Sequence, residues 1–285
     1  MSKISIPVLN LHNQAVELLK KEALNFCDRE FIFDNYHEGA GQMNNLISAH
    51  FTPYSICRSL CQNITYTDCF VDLCAGIGMI SYALKRYEEM SFNKPIFGIC
   101  IEKCTEYYEV GKKLLPEFHW INGDCFDPEV IEQVKELMKG KKFSVISNPP
   151  YGNQVKTDSK ELLKYTGSTF EYKAIELGAI LGAYDGAFLI PQVSAPFRIS
   201  GVRMHGKNVY EEEYKTKNYK KFVEQTGLEI SHNNGYDTVF LEEGEAWRDV
   251  SIPTEIACLE YSDLNYVAKQ EPVQQIGLFD SLLSA

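Results

Sequence analysis

Residues 68–78 read DCFVDLCAGIG, an apolar run followed by a turn of small residues. The run predicts a buried β-strand, and the glycines let the backbone approach a ligand closely. Open α/β sheets bind their ligands at this carboxyl end of the strands. Asp72 could hold an ammonium group there. The glycine spacing is not GxGxxG, so a dinucleotide site is less favoured.

The same strand-and-helix alternation continues on the carboxyl side of this stretch. Strands are predicted at PIFGICIE, EFHWINGD, KFSVIS and GAFLIP (residues 95–102, 117–124, 142–147 and 186–191). Helical patterns separate them, at residues 79–90, 104–115, 128–140 and 171–182. This alternation predicts an α/β fold with a doubly wound, mostly parallel sheet. Later strands are predicted at residues 238–243 and 255–262.

Three regions are predicted along the chain. Residues 1–49 form an N-terminal helical segment, with one helix expected over residues 13–27. Residues 50–245 form the catalytic domain, and residues 246–285 a C-terminal strand and a weakly anchored tail. No signal peptide and no membrane span is evident, so we expect a cytoplasmic protein.

Charge, cysteine content and histidine content bear on three possible features of the protein: nucleic-acid binding, disulfide bonds and metal sites. The net charge is −11, whereas nucleic-acid-binding proteins are usually basic. A local basic patch is predicted in residues 198–221, with seven cations against three acids, although a solvated face is an equal alternative. The nine cysteines include no CxxC pair and are expected to be buried free thiols. The six histidines are scattered, so no metal site is expected.

Two further acids lie at the ends of the next predicted strands. Glu102 ends the second strand, where an acid typically binds ribose hydroxyls. Asp124 follows Gly123 at the end of the third, where a carboxylate could accept from an adenine amino group. Together with Asp72, three acids at successive strand ends predict one cofactor site along a single edge of the sheet.

The fourth strand ends in SNPPYG at residues 147–152. Pro149 and Pro150 restrict the backbone, leaving the Asn148 side-chain oxygen and the Pro149 carbonyl free to accept hydrogen bonds from one amino group. Accepting both hydrogens of an adenine amine favours a pyramidal nitrogen, whose lone pair can attack a sulfonium methyl group. Tyr151 offers a face on which the target base could stack.

With HFTP upstream at residues 50–53, these motifs resemble those of the amino-methyltransferases of DNA adenine, including plasmid- and phage-borne members. The resemblance implies a Rossmann-like sheet that binds S-adenosylmethionine (SAM). It implies that four residues are catalytic, namely Asn148, Pro149, Pro150 and Tyr151. The cofactor residues it implies are His50, Phe51, Thr52, Asp72, Ala75, Gly76, Gly78, Glu102, Asp124 and Cys125.

A paired target adenine in double-stranded DNA would have to be flipped out of the stack. Little chain remains for target recognition, so recognition is either compact, using residues 153–170 and 195–245, or depends on a specificity subunit. Phe197 is a candidate second wall for the flipped base, with a core position as the alternative. Methylation of a protein glutamine or of an RNA base is a rival reading, as is a non-catalytic subunit.

The C-terminal tail contains QIGLF at residues 275–279. This peptide resembles the short motif with which bacterial replication proteins bind the sliding clamp. Such a tether would raise the effective concentration of a modest DNA binder. The alternative is a short amphipathic helix that packs on the body of the protein.

Overall fold

The computed structural model describes most of the chain. The described residues are 4–40, 50–65, 69–92, 95–153, 162–200, 212–233, 247, 253–262, 264 and 266. The predicted strand at 238–243, residues 201–211 of the predicted basic patch, and the peptide at 275–279 lie outside them.

A seven-stranded mixed sheet forms the centre of the molecule, in the order β3-β2-β1-β4-β5-β7-β6. Its strands are β1 Cys69–Asp72, β2 Phe97–Glu102, β3 His119–Asn122, β4 Ser144–Ser147, β5 Asp185–Pro191, β6 Ser231–His232 and β7 Thr254–Glu260. Strands β1 to β5 are parallel, whereas β7 pairs antiparallel with β5 and with β6. The predicted doubly wound sheet is confirmed, and β6 was not predicted.

Eight α-helices are described. They are α1 Ile6–Leu18, α2 Phe26–Asn35, α3 Tyr54–Cys61, α4 Met79–Phe92, α5 Thr105–Leu114, α6 Pro128–Met138, α7 Phe170–Leu181 and α8 Lys217–Thr226. Buried apolar side chains of α1 to α5 pack on one face of the sheet, and those of α6 to α8 on the other. Because helices cover both faces, the parallel strands are buried on both sides. None of the described helices is long and apolar enough to cross a membrane.

The N-terminal helical segment differs from the prediction. Residues 13–27 do not form one helix, since α1 ends at Leu18 and α2 begins at Phe26. The break has a local cause. The Asn25 side chain accepts a hydrogen bond from the Asp28 backbone N–H, and the Asp28 carboxylate accepts one from the Asn25 N–H. This capping box starts a new helix at the point where the apolar stripe predicted continuity.

Two predictions about buried residues have clear outcomes. All nine cysteines are free thiols, and the prediction that they are buried holds for six of them, whereas Cys27 is exposed and Cys74 and Cys258 are partly buried. Phe197 is fully buried in the core on the α6–α8 face, and its ring lies 6.2 Å from that of His232. The suggestion that Phe197 forms a wall for a flipped base is therefore wrong, because a side chain inside the core cannot stack on a substrate.

Candidate functional site

The carboxyl ends of β1 to β4 open into one cleft. The strand order reverses between β1 and β4, and such a switch point is where doubly wound sheets bind ligands. Twelve of the fourteen predicted site residues line the cleft, namely His50, Phe51, Thr52, Ala75, Gly76, Glu102, Asp124, Cys125, Asn148, Pro149, Pro150 and Tyr151. It is also lined by Leu73, Cys74, Ile77, Met79, Ile80, Lys103, Tyr107, Gly123 and Phe170, which were not predicted.

The two glycines of the β1 turn have different surroundings. Gly76 has φ +56°, and a Cβ there would lie 3.4 Å from the Phe51 ring across the cleft. Gly78 has φ +92°, and a Cβ there would lie 2.8 Å from Leu115 Cδ1. Gly78 therefore allows the turn to pack against Leu115 and Trp120, and it does not line the cleft.

Asp72 lies behind the cleft wall and is fully buried. Its Oδ2 accepts a hydrogen bond of 2.8 Å from the Ser81 hydroxyl, whereas Oδ1 has no hydrogen-bond partner among the described residues. Burial is the main cause that raises the pKa of Asp72 to about 7, and the nearby Glu102 carboxylate raises it further. The Asp72 carboxylate therefore does not contact the cleft directly. It could influence a ligand through its charge, or contact one if the turn after β1 rearranged.

Glu102 holds the β1 turn against the end of β2. Its Oε2 accepts from the Gly76 N–H at 2.8 Å, and its Oε1 accepts from the Cys104 N–H at 2.7 Å. Burial raises the pKa of Glu102 to about 7, and these backbone donors oppose the rise. The carboxylate borders the cleft, where a second lone pair on each oxygen could accept from a ligand hydroxyl.

Asp124 follows β3, at the opposite end of the cleft from Asn148 and the NPPY motif. Its Oδ2 accepts from Lys103 Nζ at 2.9 Å, and its Oδ1 accepts from the Phe126 N–H at 3.0 Å. The Lys103 side chain is largely exposed, so this ion pair is weak and can give way to a ligand. Lys103 is the one described cation that lines the cleft.

The segment that carries the HFTP motif is fixed on the other side of the cleft. The Phe51 N–H donates to Glu38 Oε1 at 3.1 Å, and Glu38 is buried. The Phe51 ring meets the Tyr107 ring edge-on at a centroid distance of 5.0 Å. An aromatic pair at the cleft wall offers negative ring faces, which attract cationic groups.

Asn148 makes three hydrogen bonds at the end of β4. Its Nδ2 donates to Thr52 Oγ1 at 2.9 Å and to the His50 carbonyl at 3.3 Å. Its Oδ1 accepts from the Tyr151 hydroxyl at 2.7 Å. The amide therefore joins the HFTP segment to the NPPY motif across the cleft. Burial raises the pKa of Tyr151, so its hydroxyl remains a donor.

The buried Glu171 of α7 holds the backbone at Gly152, directly after the NPPY motif. Glu171 Oε2 accepts from the Gly152 N–H at 3.0 Å, and Oε1 accepts from the Ser194 hydroxyl at 2.6 Å. The Phe170 N–H donates to the Gly152 carbonyl at 2.8 Å. Sequence analysis missed Glu171. The available signal was an acid in the first turn of the mostly apolar helix that follows the motif.

In the described part of the predicted basic patch, three of the cations make contacts with neighbouring groups. Lys215 and Lys220 both form ion pairs with Glu212, at 3.2 Å and 2.8 Å. Arg198 donates to the Ala195 and Phe197 carbonyls and lies over the Tyr214 ring. The Lys215 and Lys220 side chains remain about half exposed, so their ion pairs with Glu212 are weak. Arg203 and Lys207 lie outside the described residues.

No family model and no curated protein matches the sequence. A type I restriction-modification methyltransferase subunit from Streptococcus thermophilus has 16% identity and a TM-score of 0.49, over 81% of this chain and 49% of that one. A protein classed as a type I modification subunit from Vibrio vulnificus has 10% identity and a TM-score of 0.50, over 85% and 51%. An O-methyltransferase from Bacillus cereus has 10% identity and a TM-score of 0.44, over 89% and 99%.

This chain thus spans about half the length of the two restriction-modification subunits. At such low identity the likeness concerns the fold alone, and the plasmid- and phage-type subfamily stays a prediction. The chain has a Rossmann-like α/β fold, similar to the fold of the Vibrio vulnificus protein.

Proposed function

We propose that the protein transfers a methyl group from SAM to the N6 amino group of adenine in DNA. The observation that carries the proposal is the position of Asn148. Its amide lies at the end of β4, in the same cleft as the glycine turn and the acids Glu102 and Asp124. The cleft therefore combines acceptors for an amine with groups suited to a nucleoside.

The residues of the cleft fit SAM. Glu102 would accept the ribose hydroxyls, and Asp124 would accept the adenine amino group once Lys103 yields. The residues of the HFTP segment, His50 to Thr52, would enclose the methionine part. SAM carries its methyl group on a positive sulfur, and the Phe51–Tyr107 pair together with two buried acids favours a cation there.

The target amine would meet the opposite half of the cleft. Asn148 Oδ1 and the Pro149 carbonyl accept its two hydrogens, and the adenine ring stacks on Tyr151. A new N–C bond forms as the S–C bond breaks, the leaving group is S-adenosylhomocysteine, and the extra amine proton passes to water. A base inside a duplex cannot reach these groups, so the reaction requires base flipping.

A substrate comparison with tritium-labelled SAM tests this proposal. DNA, RNA and protein are offered separately, and the product nucleosides are identified by mass spectrometry. We expect label in N6-methyladenine of DNA. Label in glutamine or in an RNA base would assign one of the rival activities.

The role of Asn148 is tested by Asn148→Ala. It should lower kcat by about 10²–10³, the usual effect of removing one preorganised polar group from a transition state, and leave the Kd for SAM unchanged. A matched control is Asn35→Ala, because among the described residues the Asn35 amide donates to the Phe31 carbonyl of its own helix, α2. Normal turnover by Asn148→Ala would contradict the proposed chemistry.

A second candidate function is a modification subunit that needs a specificity partner. The net charge of −11 favours it, because a strongly acidic chain on its own attracts the phosphates of DNA poorly. The chain alone would then bind SAM and leave DNA unmethylated, and the partner protein would restore methylation. Robust methylation by the purified chain would exclude this dependence.

The peptide at residues 275–279 carries a separate proposal, contact with the bacterial sliding clamp. Wild type should be retained by immobilised clamp, and a Leu278→Ala/Phe279→Ala double variant should not. Equal behaviour of the two proteins would remove this idea.

A further inference from the structure

We propose that Thr52 is a positioning residue for the transfer step. Its hydroxyl, with the His50 carbonyl, fixes which way the Asn148 amide faces, so that Oδ1 points to the target amine. The inference rests on the proposed function, and it adds a role for the HFTP segment besides enclosing the cofactor. The segment would thereby link cofactor and target sites through a single side chain.

The His50 carbonyl decides the orientation of the amide. A carbonyl oxygen can only accept a hydrogen bond, so the Asn148 atom that lies 3.3 Å from it must be the NH₂ group. In the flipped orientation two oxygens would face each other there. The Tyr151 hydroxyl, 2.7 Å from Oδ1, is satisfied by the same orientation. The Thr52 and Tyr151 hydroxyls can each donate or accept, so the His50 carbonyl selects the orientation of the amide and both hydroxyls form hydrogen bonds that fit it.

Thr52 makes the shorter of the two contacts to the NH₂ group, 2.9 Å, and is itself held in place. Its side chain is buried, and its backbone carbonyl accepts from the Cys57 thiol. Pro53 follows and precedes α3, and the Pro53 carbonyl accepts from the Cys57 N–H. The Thr52 hydroxyl therefore lies just before α3, and the contacts of residues 52 and 53 with Cys57 keep it in place.

Tyr151 completes the inference, because its hydroxyl occupies one of the two lone-pair positions on Oδ1, the atom that a target amine would also contact. The incoming amine binds beside this hydroxyl or displaces it, while Thr52 and His50 keep the amide in place. Without the Thr52 hydroxyl, the NH₂ group keeps only the longer, 3.3 Å bond to the His50 carbonyl, and a fraction of the molecules would present NH₂ to the amine. Such molecules repel the target amine.

Paired substitutions at Thr52 provide the test. Thr52→Val keeps the shape and removes the hydroxyl, whereas Thr52→Ser keeps the hydroxyl. We expect Thr52→Val to lower kcat on DNA by about 3- to 10-fold, the effect of one neutral hydrogen bond, with little change in the Kd for SAM. Thr52→Ser should stay within about twofold of wild type. If the valine variant does not fold, Thr52→Ala serves in its place.

Three outcomes overturn the inference. A normal kcat for Thr52→Val shows that the hydroxyl does not position the amide. Loss of SAM affinity at unchanged kcat makes Thr52 a cofactor ligand only. Equal loss of kcat in the serine and valine variants indicates a packing role. An inactive wild type on DNA would instead refute the proposed function, so the two failures are distinguishable.

Discussion

Replacing Glu171 should impair catalysis although the residue does not line the cleft. Its carboxylate accepts from the Gly152 N–H and from the Ser194 hydroxyl, and the side chain is only 1% exposed. Glu171→Leu leaves both donors buried without an acceptor. Each such donor costs about 1–3 kcal/mol, which gives about 2–6 kcal/mol for the pair. Part of this cost is relieved if the turn at Gly152 moves, and that movement displaces Tyr151.

Glu171→Gln should be much milder. Its amide oxygen can accept from Gly152, and its NH₂ can donate to the Ser194 hydroxyl. Burial raises the pKa of Glu171, so a neutral side chain is tolerated there. We therefore expect a loss of stability below about 1 kcal/mol and a kcat within about threefold of wild type. The leucine variant should lose more than tenfold in kcat.

Glu176 provides a matched control on the same helix. It is equally buried and accepts from the Lys164 and Tyr165 N–H groups, at 2.6 Å and 3.0 Å, on the far side from Gly152. Glu176→Leu should therefore lose comparable stability in urea unfolding and keep its kcat at saturating DNA. The reasoning is refuted if Glu171→Leu keeps a normal kcat, or if both leucine variants lose kcat equally.

The remaining predictions concern the cofactor half of the cleft. Burial raises the pKa of both Asp72 and Glu102 to about 7, so the folded protein binds more protons than the unfolded chain between about pH 4 and 7. Unfolding free energy should therefore fall as pH rises from about 4 to 7 and level off above 7, and Asp72→Asn should reduce that slope; a rise with pH over this range would contradict the assignment. The affinity for SAM, measured by calorimetry, should weaken below pH 7 more than that for S-adenosylhomocysteine, whose sulfur is neutral, because protonated acids no longer attract the sulfonium; parallel profiles would argue against this. Gly78→Ala should cost about 1–3 kcal/mol of stability, since its Cβ would lie 2.8 Å from Leu115 Cδ1 at φ +92°, and its folded fraction should bind SAM normally. Weak SAM binding by a stable variant would place Gly78 at the ligand.

Local pattern was enough to predict the parallel sheet and the edge at which the cleft opens. Apolar runs and glycine turns are short-range signals, and parallel strands bring their carboxyl ends to one edge. Twelve predicted residues meet there. The two exceptions, Asp72 and Gly78, show what a motif does not contain. A motif gives the spacing of residues along the chain. It does not tell that the Asp72 side chain turns towards Ser81, or that Gly78 packs against Leu115.

The supporting contacts could not be predicted for the same reason. Glu171 reaches Ser194 over 23 positions, and Asn148 reaches Thr52 over 96, so neither pairing leaves a periodic trace in the sequence. Phe197 shows the opposite difficulty. An aromatic residue in a region expected to contact DNA is suited to stacking on a base, but Phe197 is buried in the core. The break between α1 and α2 depends on two capping hydrogen bonds between Asn25 and Asp28. The apolar stripe along residues 13–27 predicted one continuous helix instead.

The chemistry at Asn148 is the central claim, and single-turnover methylation tests it most directly. Wild type and Asn148→Ala are loaded with labelled SAM at equal occupancy and mixed with excess adenine-containing DNA. We predict rapid formation of N6-methyladenine by wild type and a rate about 10²–10³ lower for the variant. Equal rates for the two proteins, or label in any acceptor other than the adenine amino group, would contradict the account.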